Sequence, residues 1–181
     1  VYAHIFDAIL EQRLAPGTKL SEETLGDIFG VSRTIIRRAL SRLTYEQVVQ
    51  LRPNRGAVVA SPSVDEARQV FAARRIIERA VTELAAEHAT DEDIAIITDM
   101  VKEEQACFKR GDKGAGIRLS GEFHMSLALM AKNGPLHAFQ KSLVSQTSLI
   151  IAQYENNSQS SFCSYDEHFA LIKAIAAGDK A

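Results

Sequence analysis

The sequence is poor in residues that typify several protein classes. It has no tryptophan, two cysteines and four prolines among 181 residues. The distant cysteines, Cys107 and Cys163, provide neither a disulfide framework nor a paired metal motif, so both are expected to be core or surface residues. No apolar run approaches the roughly 20 residues that span a bilayer, and the first residues lack a signal-sequence pattern. These absences favour a cytoplasmic protein with no membrane partner.

Net charge is also low, at −2, but it is unevenly distributed. Residues 1–60 carry eight Lys or Arg against six Asp or Glu, a net +2, whereas residues 61–181 carry thirteen against seventeen, a net −4. Between Arg33 and Arg55 there are six arginines and one acid, Glu46. Such a cluster displaces counterions from phosphates. The charge pattern therefore indicates nucleic acid binding near the N-terminus.

Residues 25–43 have the pattern of two short helices joined by a turn. Leu25, Ile28 and Phe29 form an apolar stripe at helical spacing, Gly30 supplies the turn, and Ser32 is placed to cap the next helix. The pattern predicts a helix-turn-helix motif.

The second of these helices has the features of a recognition helix. Ile36, Ala39, Leu40 and Leu43 recur at three- and four-residue steps, which leaves polar and basic residues on the outward face. DNA-reading helices place such residues near their N-terminal end, where base edges are reached. The alternative is an ordinary helix with a solvated basic face. The residues predicted to bind DNA here are Ser32, Arg33, Thr34, Arg37 and Arg38.

After this motif the pattern changes to short β-type runs. Residues 48–52 and 57–60 are joined by Pro53-Asn54-Arg55-Gly56, a turn-forming tetrapeptide. Three helices followed by a hairpin make a winged helix, with Arg55 at the tip and Gly56 allowing close approach to a phosphate or a minor groove. The alternative is a surface hairpin with an incidental arginine.

A short linker at residues 61–63 separates this domain from a chain that is helical by pattern. Five helices are expected, with breaks at residues 111–114, 133–135 and 155–161. The sequence thus predicts a mainly α protein with two domains. Residues 1–60 form a winged helix-turn-helix DNA-binding domain, and residues 64–181 form an antiparallel all-α bundle.

Four stretches of the first domain together carry a resemblance to a known family. They are Leu14-Ala15-Pro16-Gly17, Leu20-Ser21-Glu22, Gly30-Val31-Ser32-Arg33-Thr34 and Arg55-Gly56-Ala57-Val58-Val59. In this order they resemble the GntR family of bacterial transcription regulators. The resemblance implies operator contacts at Ser32, Arg33, Thr34, Arg37, Arg55 and Gly56. Glu23 stands where the family usually has a basic residue, so a phosphate contact there is expected to be missing or replaced.

The second domain is similar to the helical FCD ligand-binding domain of the FadR subfamily. The similarity rests on Arg74-Arg75-Ile76-Ile77-Glu78, Phe123-His124, Asn133 and Asp166-Glu167-His168. It implies that residues 64–181 form an effector-binding and dimerisation domain with a cavity for a small organic acid, and the C-terminal end of this domain is expected to be incomplete. The residues expected to bind this effector are Arg74, Ser120, His124, Asn133 and His168.

Many members of this subfamily hold a divalent metal with one Asp and three His, the Asp lying four residues before the first His. His124 and His168 match two of the histidines, which suggests zinc, nickel or manganese. Ser120 stands at the Asp position, and the chain stops at Ala181, before the last His. Glu122 lies two residues from His124 and therefore points to a different face. Two imidazoles alone are too few to close a metal site.

Arg74 lies one helical turn before Glu78 and matches a family position that faces the effector cavity. A guanidinium there would clamp a carboxylate bidentately. By spacing alone, an Arg74–Glu78 pair on a solvated helix face is equally consistent.

Together these patterns predict a one-component transcription regulator, in its commonest form a repressor, that binds double-stranded operator DNA as a homodimer. Two alternatives remain: a metal-dependent hydrolase using a pocket at His124 and His168, and a helical interaction protein that does not bind DNA. No carboxylate has the spacing of a general base beside such a metal, and no nucleophile elbow or phosphate loop occurs. The sequence therefore predicts a regulator and not an enzyme.

Overall fold

A computed structural model describes residues 1–155 and 165–178. The described part contains eight helices and one two-stranded sheet, which confirms the predicted mainly α fold. In chain order the elements are α1 (Tyr2–Leu10), α2 (Glu22–Phe29), α3 (Arg33–Tyr45), β1 (Val49–Arg52), β2 (Gly56–Val59), α4 (Val64–His88), α5 (Asp91–Lys109), α6 (Lys113–Met130), α7 (Gly134–Glu155) and α8 (Tyr165–Ala176).

Helices α2 and α3 form the helix-turn-helix. The Ser21 side chain accepts a hydrogen bond from the Thr24 amide at 3.3 Å and caps α2. Gly30 ends α2 with φ +64°, a left-handed conformation in which a side chain would be strained. The predicted apolar face of α3 is buried and packs on α1 and on the two strands. This core is built mainly from Ile5, Ile9, Leu20, Leu25, Ile36, Leu40, Leu43, Val48, Val49 and Val59.

Two details of the motif differ from the sequence-based expectation. Ile28 is 68% exposed, whereas Leu25 is buried. Because successive side chains of a helix are rotated by about 100°, Ile28 does not point in the same direction as Leu25 and is left in solvent. Ser32 occupies the N-cap position of α3, but its side chain makes no capping hydrogen bond within the described residues. Its hydroxyl is therefore not committed to the helix end.

The strands form an antiparallel hairpin with Val49 opposite Val59 and Arg52 opposite Gly56. Asn54 and Gly56 take positive φ values of 59° and 70°, so the turn reverses tightly at the predicted tetrapeptide. An isolated bridge from Lys19 to Val58 ties the hairpin to the loop before α2. The N-terminal region is thus a winged helix.

Helices α4 to α8 form the bundle. Helix α5 packs on α6, α6 on α7 and α7 on α4, while α8 lies against α5 and α4. Capping boxes at Ser63/Glu66 and Thr90/Asp93 fix the starts of α4 and α5. The core consists chiefly of Val81, Ala85, Ile97, Val101, Phe123, Leu127, Ile172 and Ile175.

Some bundle residues depart from expectation. Ile76 of α4 and Phe139 of α7 are exposed, although large apolar side chains are usually buried in a helical bundle. Cys107 is buried, whereas Cys163 lies outside the described residues. Of the predicted loop at 155–161, Glu155 ends α7 and the other residues are not among those described. The described helices include no segment with the length and hydropathy of a membrane span.

The winged helix packs directly on the bundle through α1 and α7. Leu149 of α7 belongs to the winged-helix core. Leu10 of α1 forms a separate buried cluster with Ile117 and Ile151. The bundle therefore supplies part of the surface on which the helix-turn-helix rests.

Candidate functional site

The first candidate surface is the exposed face of α3. Burial of Ile36, Leu40 and Leu43 fixes the rotation of this helix about its axis. That rotation leaves the predicted DNA-binding residues of its first turns in solvent. The exposed set is Ser32, Arg33, Thr34, Arg37 and Arg38.

Two of the predicted DNA-binding arginines, Arg33 and Arg37, are held by acids of α2. Arg33 Nη2 lies 2.9 Å from Glu23 Oε1. Arg37 donates two bonds to Glu22, from Nε at 2.9 Å and from Nη2 at 2.7 Å. These hydrogen bonds and the charge of Arg37 lower the pKa of Glu22, and the same pairing raises the pKa of Arg37. Glu23 stands where a basic residue was expected to contact a phosphate, and in the structure it contacts Arg33 of the recognition helix instead.

The wing tip lies beside this motif in the chain. Arg55 is exposed in the turn between the strands, and its amide donates to the Arg52 carbonyl at 3.1 Å. Gly56 is also exposed and carries no side chain that would block a groove. The structure therefore places the predicted wing residues at a free tip, and their contact with DNA remains a prediction.

The second candidate site is a cavity of about 1200 Å³ in the bundle. Its walls come from α4, α6, α7 and α8 and are largely apolar, including Phe71, Ile150, Leu171 and Ile175. A cluster of buried polar side chains forms one part of the lining, here called the polar floor. The polar floor consists of Arg74, Glu78, Ser120, His124 and His168.

Arg74 is the centre of a buried network. Its Nε and Nη2 donate to the two oxygens of Glu78 at 3.2 and 3.3 Å. Its Nη1 donates to Thr147 Oγ1 at 2.6 Å, and Gln140 Nε2 donates to Glu78 Oε1 at 3.1 Å. The sequence left two interpretations of Arg74 open, a side chain that faces the cavity and a helix pair with Glu78. In the structure Arg74 both pairs with Glu78 and lines the cavity. The pair is not on a solvated face.

His124 contacts Glu78 through Nδ1. Burial and the nearby charge of Arg74 outweigh this carboxylate and lower the pKa of His124 from 6.5 to about 4. Its imidazole is therefore neutral near pH 7. Burial opposes ionisation of Glu78, but its contacts with His124 and Arg74 prevail and lower the pKa of this carboxyl.

His168 is held by an acid that sequence reasoning missed. Its Nδ1 lies 2.8 Å from Oε2 of Glu104, a residue of α5 with no exposed surface. The pairing fixes the ring with Nε2 on the opposite edge. The signal was present in the sequence, since Glu104 falls on the helical stripe of Ile97, Val101 and Phe108. The rings of His124 and His168 are 5.0 Å apart in an edge-to-face arrangement.

The remaining predicted effector residues, Ser120 and Asn133, lie in different places relative to the cavity. Ser120 is buried and lines the cavity as expected. Asn133 does not line the cavity among the described residues, so the structure does not bring it to the polar floor, and its contact with an effector stays a prediction. Its Oδ1 accepts a bond from the Leu136 amide at 3.2 Å, so it acts at the start of α7.

A complete metal site is not formed by the described residues alone. Across residues 1–155 and 165–178, no three His, Cys, Asp or Glu side chains are grouped to hold a metal ion. His124 and His168 supply two nitrogen donors, and Ser120 brings a hydroxyl where a carboxylate was expected. The metal remains a prediction.

Residues 1–59 match the bacterial regulatory proteins of the gntR family, and residues 69–181 match the FCD domain. The chain belongs to the GntR family. Its N-terminal part is the winged helix of that family and its C-terminal part is an FCD domain, and the curated proteins that it matches are named as transcriptional regulators.

Three curated proteins illustrate the sequence similarity of this GntR-family chain. The Nta operon transcriptional regulator of Aminobacter aminovorans is 31% identical over 67% of this chain and 57% of its own length. The HTH-type transcriptional regulator LutR of Bacillus subtilis is 27% identical over 93% and 85%. The HTH-type transcriptional repressor RspR of Escherichia coli is 29% identical over 72% and 58%. The first and third matches thus span little more than half of those proteins.

Solved structures show the same fold. E. coli McbR/YncC superposes with a TM-score of 0.84 at 20% identity, covering 99% of this chain and 85% of that one. A GntR regulator from Rhodococcus sp. RHA1 gives 0.80 at 21% identity, covering 99% and 86%.

In this GntR-family chain a further buried acid, Glu46, joins the two domains. It ends α3 and is 2% exposed. It accepts hydrogen bonds from Tyr2, from Arg42 Nε at 3.2 Å and from Ser145 Oγ of α7 at 3.1 Å. Lys141 Nζ of α7 lies 3.6 Å away. The sequence signal was its position as the one acid in an arginine-rich stretch.

Proposed function

We propose that this chain is a cytoplasmic transcriptional repressor that binds a palindromic operator as a homodimer and changes its operator affinity when a small carboxylate enters the bundle cavity. The observation that carries this proposal is that a single helix, α7, contacts both the polar floor and the end of the recognition helix. The similar E. coli protein RspR is named as a transcriptional repressor, which supports repression as the direction of regulation.

The operator-binding half of the proposal rests on charge and exposure. Two arginines on the first turns of an exposed helix can each make paired hydrogen bonds to guanine. Arg38 of the same helix and Arg55 of the wing are exposed and add positive charge for phosphates. A homodimer presents two such helices, which is the arrangement a palindromic operator requires.

The effector half rests on the polar floor. A guanidinium carries five N–H donors, and three of those of Arg74 are used by Glu78 and Thr147. The others remain available to a carboxylate. The neutral imidazole of His124 and the oriented ring of His168 add two further hydrogen-bonding groups beside it. The apolar walls then accommodate the carbon skeleton of an organic acid.

A route from cavity to DNA runs along α7. Gln140 and Thr147 of this helix bond Glu78 and Arg74, while Ser145 and Lys141 face Glu46 at the end of α3. A ligand that draws Arg74 or Glu78 away changes the contacts that position α7. Because Leu149 of α7 packs in the winged-helix core, a shift of α7 changes the support of the recognition helix.

A divalent metal is a second candidate occupant of the polar floor. Both imidazoles turn Nδ1 toward a carboxylate, Glu78 or Glu104, which is the way proteins orient histidines for metal binding. Zinc, nickel or manganese would be held by His124 and His168, with the remaining positions left to the acid or to water. When bound, the metal would add a positive charge that favours a carboxylate ligand.

Anisotropy with labelled duplexes tests both halves. An operator is first selected by the chain from a randomised duplex pool, and its Kd is then measured with lactate, succinate and citrate, using EDTA-treated protein with and without zinc, nickel or manganese. We expect at least one acid to change the Kd by about fivefold or more. Failure to select any consensus would contradict operator binding, and a Kd insensitive to every acid and metal would contradict the effector half.

A further inference from the structure

The paired contact between Glu22 and Arg37 occupies one edge of the Arg37 guanidinium. Nε and Nη2 donate to the two carboxylate oxygens at 2.9 and 2.7 Å. A guanidinium has a second edge in the same plane, formed by Nη1 and the other hydrogen of Nη2. With the first edge held, this second edge has a fixed plane and a fixed direction.

The free edge has the geometry that reads guanine. Guanine presents O6 and N7 in the major groove as two neighbouring acceptors, and a guanidinium fork donates to both. An arginine side chain that is mobile in the free protein loses rotamer entropy when it makes this contact. Glu22 removes part of that cost, because Arg37 is already ordered before DNA arrives.

The charge of Glu22 has a second effect. A carboxylate at the DNA face is repelled by phosphates, and this repulsion is offset only where Arg37 finds its guanine. On other sequences Glu22 is still repelled by the phosphates, but Arg37 makes no contact with a guanine that would offset this repulsion. An acid in this position therefore lowers affinity for non-specific DNA more than affinity for the operator.

We propose that Glu22 is a specificity-determining positioning residue that holds Arg37 for one guanine of the operator and penalises sequences lacking it. The inference rests on the proposed operator-binding function and adds a residue that does not itself bind a base. Arg33 differs, because a single bond at 2.9 Å links it to Glu23 and leaves its guanidinium less constrained.

The chain offers a charge-matched control on the same helix. Asp27 of α2 is exposed and makes no hydrogen bond or ion pair with any described residue. Asp27→Asn and Glu22→Gln each remove one negative charge from α2, but only Glu22→Gln breaks the paired contact with Arg37, because an amide offers one acceptor oxygen where the carboxylate offers two. Any difference between the two variants therefore reports the contact and not the net charge.

The test compares wild type, Glu22→Gln and Asp27→Asn as full chains. The wild type selects a consensus from randomised duplexes, and Kd values are measured on that duplex and on variants with each guanine replaced by adenine. For Glu22→Gln we expect discrimination at one base pair to fall about fivefold, with equal or tighter binding to a scrambled duplex. For Asp27→Asn we expect the discrimination ratio to stay unchanged. Melting temperatures verify that both variants are folded.

Arg37→Lys supplies the second arm, since it keeps the charge but loses the fork. In the Arg37→Lys background, Glu22→Gln should no longer alter the discrimination ratio, because the edge that it positions is gone. Equal ratios for Glu22→Gln and wild type would overturn the inference even though operator binding stands. If the wild type selects no consensus at all, the proposed function fails, and the inference fails with it.

Discussion

Two arginine–glutamate pairs of this chain have the same paired geometry and opposite surroundings. In Arg37–Glu22, on the DNA face, the two N–O distances are 2.9 and 2.7 Å and the arginine side chain is 68% exposed. In Arg74–Glu78, on the polar floor, they are 3.2 and 3.3 Å and the arginine side chain is 10% exposed. One pair links two helices of the winged helix, and the other links successive turns of α4.

Burial decides what each pair can do. An exposed ion pair contributes little to stability, so the contact with Glu22 can orient Arg37 without stabilising the fold, and the second guanidinium edge stays accessible to a base. Removing one partner of a buried pair costs about 3 to 5 kcal/mol, because the other charge is left uncompensated. The exposed pair suits an arginine that has one edge held by an acid and the other edge open to DNA. The buried pair suits a floor whose arrangement a ligand changes as a unit.

The largest expected effect is on stability. Arg74→Met should lower the free energy of unfolding by about 3 to 5 kcal/mol, whereas Arg37→Met should leave it almost unchanged. Urea denaturation followed by circular dichroism measures both. Adding Glu78→Gln to Arg74→Met should recover part of the loss, because the unpaired carboxylate is then neutral. Equal destabilisation by the two methionine variants would show that burial does not separate the pairs.

DNA binding should separate the exposed arginines from the rest of the surface. Arg33→Ala with Arg37→Ala should weaken operator binding by about 100-fold, since each removes a paired base contact of about 1 to 3 kcal/mol. Anisotropy at fixed salt measures the loss. The matched control is Arg79→Ala with Arg110→Ala, which removes two exposed arginines of the bundle that also pair with glutamates. A similar loss in the control would mean that net charge, and not position, determines binding.

The pH dependence of stability should also differ between the two regions. The folded-state pKa of His124 is about 4 against an ordinary 6.5, so the unfolded chain binds the extra proton and stability falls as pH drops between these values. We expect a loss of about 1 to 2 kcal/mol between pH 7 and 5. The lowered pKa of Glu22 acts only below its ordinary value of 4.5, where protonation removes the stabilising contact with Arg37.

Urea denaturation at a series of pH values measures this slope. His124→Gln should flatten it above pH 5, whereas His4→Gln, which changes an exposed histidine, should leave it unchanged. A slope that persists in His124→Gln would assign the effect to another group.

The sequence predicted the exposed region better than the buried one. The recognition helix followed from the periodicity of Ile36, Leu40 and Leu43, because a helix with one apolar stripe has only one way to face a core. The wing followed from turn chemistry at residues 53–56. Ile28 was placed wrongly, because three-residue spacing does not show which edge of a stripe the partner helix covers.

The polar floor was only half predictable. Arg74, His124 and His168 were named from family resemblance, but Glu104 and the contacts of Gln140 and Thr147 come from helices distant in sequence. Local spacing indicates that Glu104 faces the bundle core, but it does not show which residue of a distant helix each of these side chains contacts. Asn133 was expected at the effector site but lies at the start of α7, because an asparagine fits a ligand site and a helix start equally well.

The smallest expected effect concerns the link between the two regions. Ser145→Ala removes one hydrogen bond from Glu46 and should change operator affinity itself by less than about 1 kcal/mol. Linkage is reciprocal, so if α7 couples cavity and operator, operator binding must also alter α7. Hydrogen exchange of α7 amides should therefore slow when the operator duplex is added to wild type, and should slow less in Ser145→Ala. Ser142→Ala, on the same helix, is the control, because its hydroxyl bonds only Gln146 among the described residues. If the duplex protects α7 equally in all three proteins, the hydrogen bond to Glu46 does not carry the coupling, and packing of Leu149 in the winged-helix core becomes the route to test.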